Sequence, residues 1–364
     1  MPVYKDGKSG WRVVYRYTDF RGELKQTQKR GFKTQREAKQ WEHEQILKTE
    51  ASLDMTFGSF VEIFAIDEQE RIKESTWANK EHIIRTKILP YFKDRNIAEI
   101  QPRDVIAWQN EMLHIKQKNG KPLSPDYLRN LHTQLSCIFN HAVRYYGLKS
   151  NPAKIAGSMG KKGAKEMQFW TQEEYRKFAE ATMDKPIMYY AFEMLYWCGI
   201  RCGELLALTP ADFDFEQKKL RINKSYQRLN GRDLITEPKT KKSIRTIDLP
   251  EFLVEEIRDY LKMLYGIKGS DRMFAVSKHS LHRAMDFGAK EAGVKRIRVH
   301  DLRHSHVSLL IQLGYSAVAI ADRLGHESIE ITYRYAHMFS SVQQDMAKSL
   351  DTLRKEEEDV SEES

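Results

Sequence analysis

Residues 299–337 carry three short motifs in close order: Val299-His300-Asp301-Leu302-Arg303, then Leu324-Gly325-His326, then Tyr333-Arg334-Tyr335-Ala336-His337. His300 and Arg303 are three apart, so one helical turn presents both to the same point. A second arginine stands upstream, in Gly199-Ile200-Arg201-Cys202-Gly203-Glu204-Leu205. Its neighbours are largely apolar, and a guanidinium there is costly unless an anion meets it. Glu204 lies three residues on, on the same helical face, and is placed to orient Arg201. A buried Arg–Glu pair can equally be a staple of the fold, and this segment alone does not choose. Arginine grips phosphate as a planar, permanently charged fork. Two of them suit the non-bridging oxygens of a phosphodiester and the added charge of a pentacoordinate transition state. His300, His304 and His306 raise the question of zinc, but HExxH is absent and no ordered carboxylate set completes a third ligand. No metal and no cofactor is therefore expected. A metal-free phosphoryl-transfer site needs its own nucleophile, and Tyr335 is placed to supply it.

The rest of the composition agrees with a polyanionic partner. The 364 residues hold 60 Lys and Arg against 51 Asp and Glu, a net charge of +9. Ordinary solubility explains part of that excess, but nucleic acid is the commonest partner of a basic chain. The acidic end, residues 356–364, hides part of the asymmetry and is expected to stay solvated. The 41% hydrophobic content supports packed cores, and the length suggests two or three domains. Three cysteines, Cys137, Cys198 and Cys202, make no disulfide framework; a reducing, cytoplasmic setting is expected. No apolar run reaches the length of a membrane span, and the start has no apolar signal core.

Residues 1–52 read as a small sheet with a helix. Trp11, Val13, Tyr15 and Tyr17 alternate with Arg12, Val14 and Arg16, the period of a strand. Asp19-Phe20-Arg21-Gly22 is turn chemistry, and Glu23 to Lys29 forms a second strand carrying Lys25 and Lys29. Thr34-Gln35-Arg36-Glu37 is a capping box that starts a helix to about Lys48. Arg12, Arg16, Lys25 and Lys29 are the candidate DNA contacts, although any small sheet can carry basic residues on its solvent face. Residues 56–152 turn helical, with Phe57, Phe60, Val61 and Phe64 at i, i+3, i+4, i+7. A second helix is expected from Ser75-Thr76, ending before Pro90, a third from Pro102, and a longer one from Ser124-Pro125 to Gly147. Residues 153–168, with Lys161 and Lys162, have the composition of a basic linker that could hold a duplex electrostatically. From 169 to 355 the pattern mixes strands and helices: strands near 220 and 235 around an Asn230-Gly231 hairpin turn, a basic turn at Pro238-Lys239-Thr240-Lys241-Lys242, and a strand from Ser243 to Ile247. Helices follow at about 250–263, 279–292, 300–313, 316–324 and 328–338. The fold class is multidomain: a β-sheet plus helix module, an all-α domain, and a mainly α, α+β domain.

With these motifs in that order, the chain resembles the tyrosine recombinases, the phage integrase family. The resemblance rests on Gly199 to Leu205, Pro238-Lys239-Thr240, His300 to His304, Leu324-Gly325-His326 and Tyr335-Ala336-His337. His326 and Tyr335 are nine apart, as the family pattern expects. Upstream, residues 56–152 look like the family's core-site-binding domain and residues 1–52 like the arm-binding domain, a three-stranded sheet plus helix, of integrases from phages and conjugative elements. The resemblance implies a site-specific recombinase. Tyr335 attacks the scissile phosphate to form a 3′-phosphotyrosyl bond, and Arg201 and Arg303 clamp the phosphate. Lys239 protonates the leaving 5′-oxygen, His300 assists proton transfer at the tyrosine, His326 hydrogen-bonds the phosphate, and Glu204 supports Arg201. It implies double-stranded attachment sites of core and arm type as partners, a tetramer on a four-way junction, and an excisionase or DNA-bending host factor as accessory. Tyr333 stays open as nucleophile, with core packing as its alternative, and Lys241 stays open as general acid. A type IB topoisomerase-like enzyme and a non-catalytic DNA-binding regulator are the competing classes. Residues 340–354 suit one more helix, of the kind that docks on a neighbouring protomer in this family.

Overall fold

Alternation along the N-terminal segment produces the expected sheet, with one strand more than the periodicity shows. In the computed structural model, strands β1 (Val3–Asp6), β2 (Gly10–Thr18) and β3 (Leu24–Phe32) pair antiparallel in that order. Residues 35–41 form a helix, α1. The residues described are 3–6, 10–18, 24–41, 53–117, 119–160, 167–238, 240–333, 335 and 351–352. Val13 is fully buried. The register sets Lys29 opposite Val13 and Lys25 opposite Tyr17. Directly opposed residues share a face, so Lys29 stands on the Val13 face and not on that of Arg12. Lys29 is exposed, with its ammonium 5.5 Å from the Trp41 ring centre, and the Arg12 guanidinium lies 5.7 Å from that of Tyr4. The side chains of Arg16 and Lys25, and all of Lys161 and Lys162, lie outside the described residues.

The middle of the chain is helical, as its 3.6-residue period requires. Helices α2 (Phe57–Gln69), α3 (Glu74–Ile83), α4 (Leu89–Phe92), α5 (Pro102–His114), α6 (Pro125–Tyr145) and α7 (Pro152–Ala156) enclose Phe57, Phe60, Phe64, Trp108 and Phe139. Two expectations change. The helix expected to end before Pro90 runs on through it. A π-helical turn, Ile84–Ile88, joins α3 to α4, with Leu89 N–H bonded to the Ile84 carbonyl. A wider turn of this kind relieves the ladder where proline has no N–H to give. The expected linker is also shorter than 153–168. Ala153 and Met159 are buried in the helical core, and Gln109 donates to the Gly157 carbonyl at 2.7 Å.

The two compact units of the chain divide at Lys165 and Glu166. In the second, α8 (Gln172–Glu180), α9 (Pro186–Cys198), α11 (Glu251–Met263), α12 (Lys278–Glu291) and α13 (Asp301–Gln312) surround a core that includes Trp170, Phe178, Phe192, Tyr196, Tyr260 and Phe274. The short α10 (Cys202–Leu205) follows α9 after Gly199. Strands β4 (Phe213–Asp214), β5 (Lys219–Ile222) and β8 (Arg245–Asp248) form one sheet, and β6 (Ser225–Leu229) with β7 (Arg232–Thr236) form a separate hairpin. Asn230 and Gly231 both take positive φ in its turn, the geometry that suits a two-residue hairpin loop. The strand after the basic turn, β8, therefore returns to β5, passing over both strands of the hairpin. Helices α14 (Ala317–Leu324) and α15 (Glu330–Tyr333) close the described fold. Within 340–354 only 351–352 are described, as helix. Among the described residues no helix is long and apolar enough to cross a membrane.

Candidate active site

Two glycine turns offer carbonyl acceptors to the two arginines, Gly199 to Arg303 and Gly325 to Arg201. Gly199 ends α9 at φ +61°, and Gly325 ends α14 at φ +65°. A Cβ on Gly199 would meet the His306 ring at 2.5 Å, and one on Gly325 would meet the Lys242 carbonyl at 2.7 Å. Neither position admits a side chain without a shift. Arg303, on the first turn of α13, reaches both turns. Its two terminal nitrogens donate to the Gly199 and Leu324 carbonyls, each at 2.7 Å. The residue is 4% exposed. Burial pushes its pKa down to about 9, with Arg201 adding to the effect and Glu204 opposing it; it remains charged at neutral pH.

Arg201 is held from the other side. Its backbone N–H and its guanidinium both donate to Glu204, at 2.9 and 2.7 Å, and weaker contacts at 3.4 Å run to Ser243 Oγ and the Gly325 carbonyl. Glu204 is 2% exposed and also accepts two bonds from Arg245, at 3.2 and 3.0 Å. Burial alone would raise the Glu204 pKa; Arg245 and then Arg201 outweigh it and hold the carboxyl below its ordinary value. Arg245 was not legible as a site residue. Its signal was there: it lies two residues before buried Ile247 on a strand, so the same face points inward.

The basic turn leans on this pair. Thr240 Oγ1 and Ser243 Oγ are 3.0 Å apart, Ser243 faces Arg201, and Lys242 reaches the Glu327 carbonyl at 3.4 Å. Lys239 itself lies outside the described residues, as does the side chain of Lys241.

The described histidines each take a different partner. His300 caps the start of α13, is exposed, and its ring makes no hydrogen bond among the described residues. Desolvation on its inner side and Arg303 lower its pKa. His304 Nδ1 meets the Tyr335 hydroxyl. His306 is buried and faces Arg323 at 3.3 Å. His326 is buried, and burial followed by Arg303, Arg201 and Arg245 drops its pKa to about 3. Tyr335 is 3% exposed, seated with Val307, Ile311, Ile320 and Leu324. Tyr333 is 54% exposed, so its alternative as core packing is not met. Tyr335 lies in a turn beyond α15, not on the helix expected for 328–338.

These histidines make stability depend on pH. His304, His306 and His326 have pKa values lowered to about 4, 3 and 3, chiefly by burial. The unfolded chain binds those protons first, near pH 6.5, so stability is full above that value and falls as pH drops toward 4. At pH 5 each should cost about 2 kcal/mol. Urea unfolding at pH 7.5 and pH 5 checks this; equal midpoints would contradict neutral, buried histidines.

The chain is similar to known proteins over most of its length. Residues 168–341 match the phage integrase family, residues 56–113 its N-terminal SAM-like domain, and residues 2–49 an arm DNA-binding domain. The ICEBs1 integrase of Bacillus subtilis is 30% identical over 317 residues, 83% of this chain and 84% of that one. A putative prophage phiRv2 integrase of Mycobacterium tuberculosis is 27% identical over 83% of this chain and 80% of its own length. Among solved structures, the Tn1549 transposon integrase in complex with a circular intermediate DNA superposes with a TM-score of 0.67 at 21% identity, covering 81% of this chain and 99% of that one. The lambda integrase tetramer bound to a Holliday junction gives 0.59 at 17% identity, over 92% and 94%.

Proposed function

Since this chain belongs to the phage integrase family, the tyrosine recombinases, we propose that it cuts and rejoins DNA through a 3′-phosphotyrosyl bond to Tyr335, integrating or excising a mobile element by way of a four-way junction. The observation that supports this most is the shared anchorage of the site. Arg303 ties the turn before Arg201 to the turn before His326, and the Tyr335 hydroxyl lies close enough to act on the Arg303 charge.

In this reading a scissile phosphate sits between Arg201 and Arg303, whose forks meet its non-bridging oxygens. His326, neutral and buried, hydrogen-bonds the same group. Tyr335 Oη attacks phosphorus in line with the 5′-oxygen, which leaves and takes a proton from Lys239. The position of Thr240, Ser243 and Lys242 against Arg201 and Glu327 supports that role for the turn. Glu204 keeps Arg201 aimed. The tyrosine ester conserves the bond energy, so the 5′-hydroxyl of a second duplex restores a phosphodiester without ATP. Arg12, Arg16, Lys25 and Lys29 would serve arm sites, residues 56–152 with Lys161 and Lys162 core sites, and four chains would act together on the junction. An excisionase or DNA-bending factor would set direction. The setting is the bacterial cytoplasm.

The test is covalent trapping in excess EDTA. A duplex copied from the element's junctions and nicked beside the cleavage position should leave a protein–DNA adduct on a denaturing gel. Both negative charges of the transition state are met by arginine, so chelation should leave the yield within about two-fold. An adduct that appears only after a divalent metal is returned would overturn the scheme.

A further inference from the structure

We propose that His304 accepts the phenolic proton of Tyr335 as that oxygen attacks phosphorus, with Asp301 holding the imidazole for the task. The proposal rests on Tyr335 as nucleophile. It moves to His304 the proton transfer that family resemblance gave to His300.

The spacing begins the argument. Asp301 and His304 are three apart at the start of α13, so the helix stacks one over the other. Asp301 is 1% exposed and faces His304 Nε2 at 3.7 Å. It cannot swing away, because Arg298 grips it through its backbone N–H at 2.8 Å, its Nε at 3.1 Å and its Nη2 at 2.8 Å. A carboxylate on the Nε2 side favours the tautomer with its proton there, which leaves the Nδ1 lone pair for the other side. On that side stands the Tyr335 hydroxyl, which then donates to Nδ1. Nucleophile, base and orienting carboxylate follow one another as in other activated nucleophiles. His300 offers no such chain: its ring touches that of His304, with centres 5.4 Å apart, and stands at the exposed rim.

The charges facing His304 come from several elements. Burial and His300 lower its pKa, to about 4, with Arg298 and Arg303 adding and Asp301 opposing; His326 lies within electrostatic reach. At neutral pH the ring is therefore uncharged and its lone pair available. A weak base suffices, because the phenolic proton becomes strongly acidic as the oxygen bonds to phosphorus. The step balances. The Oη–P bond forms and the P–O5′ bond breaks, the phenolic proton passes to Nδ1, and the 5′-oxygen takes its proton from the general acid. The imidazolium beside Asp301 returns the proton to Oη when the incoming 5′-hydroxyl displaces the tyrosine.

The test uses the full chain on the nicked duplex, following adduct formation in time. His304→Ala should slow it about 100-fold, and added imidazole should restore part of the rate. His304→Asn keeps a hydrogen-bonding group near Nδ1 but cannot take a proton, and should stay as slow. A 5′-bridging sulfur in place of the leaving oxygen removes the need for the general acid and should not rescue either variant. Recovery in His304→Asn, or rescue by the sulfur, would overturn the proposal. Tyr335→Phe is run beside them. An adduct that persists there overturns the nucleophile assignment itself. Its absence there with a wild-type rate in His304→Ala overturns the role of His304 alone.

Discussion

With Tyr335 replaced by phenylalanine, covalent trapping of DNA should fall by at least about 10⁴-fold, the scale seen when a nucleophile is removed from a site that acts as a unit. The fold should survive. The ring keeps its place among Val307, Ile311, Ile320 and Leu324, and what goes is one hydroxyl, with a net contribution of about 1 kcal/mol from its hydrogen bond to His304. DNA binding, which the proposed function assigns to basic surfaces and to Arg201 and Arg303, should be unchanged in a gel-shift titration. The measurement pairs that titration with a denaturing gel. An adduct retained in Tyr335→Phe and lost in Tyr333→Phe would hand the role to the exposed tyrosine.

Glu204→Ala should have the largest effect on stability. The carboxylate accepts from Arg201 and twice from Arg245, and the Arg245 side chain is only 6% exposed. Removing Glu204 strands that guanidinium in a low-dielectric interior, at a cost of about 3–5 kcal/mol. It also frees Arg201 from the group that aims it. Urea unfolding reads the first effect, and trapping at a temperature where the variant stays folded reads the second, expected at about 100-fold. Glu204→Leu combined with Arg245→Met replaces the buried ions by apolar groups of similar size. It should recover much of the stability but not the cleavage, because Arg201 still lacks its partner. Full cleavage in that double variant would reduce Glu204 to a staple of the fold.

What the sequence disclosed and what it withheld divide along a physical line. Features written in local spacing were readable: the Arg201–Glu204 pair at i, i+3, the His300–Arg303 turn, the Asn230-Gly231 hairpin, and the helical period from Phe57. Features made by distant partners were not. Arg245 reaches Glu204 across 41 positions, and the pairing of β8 with β5 skips a whole hairpin. Strand alternation turns Arg245 inward but does not name its partner, and nothing in the periodicity announces the pairing of β8 with β5. Pro90 misled because a proline normally ends a helix, and nothing local announces the π turn that carries the chain past it. His304 was visible as a residue but not as a partner of Tyr335, since only folding brings residues 31 positions apart into contact.

The anchorage of Arg303 has a consequence for how such a site withstands mutation. Both of its acceptors are main-chain carbonyls, of Gly199 and Leu324. A carbonyl belongs to every residue, so no substitution at those two positions deletes the acceptor. What must be kept is the path of the backbone, and two left-handed glycines hold it. The information that seats this arginine is thus stored in a few conformationally special positions rather than in the side chains of its two acceptor residues.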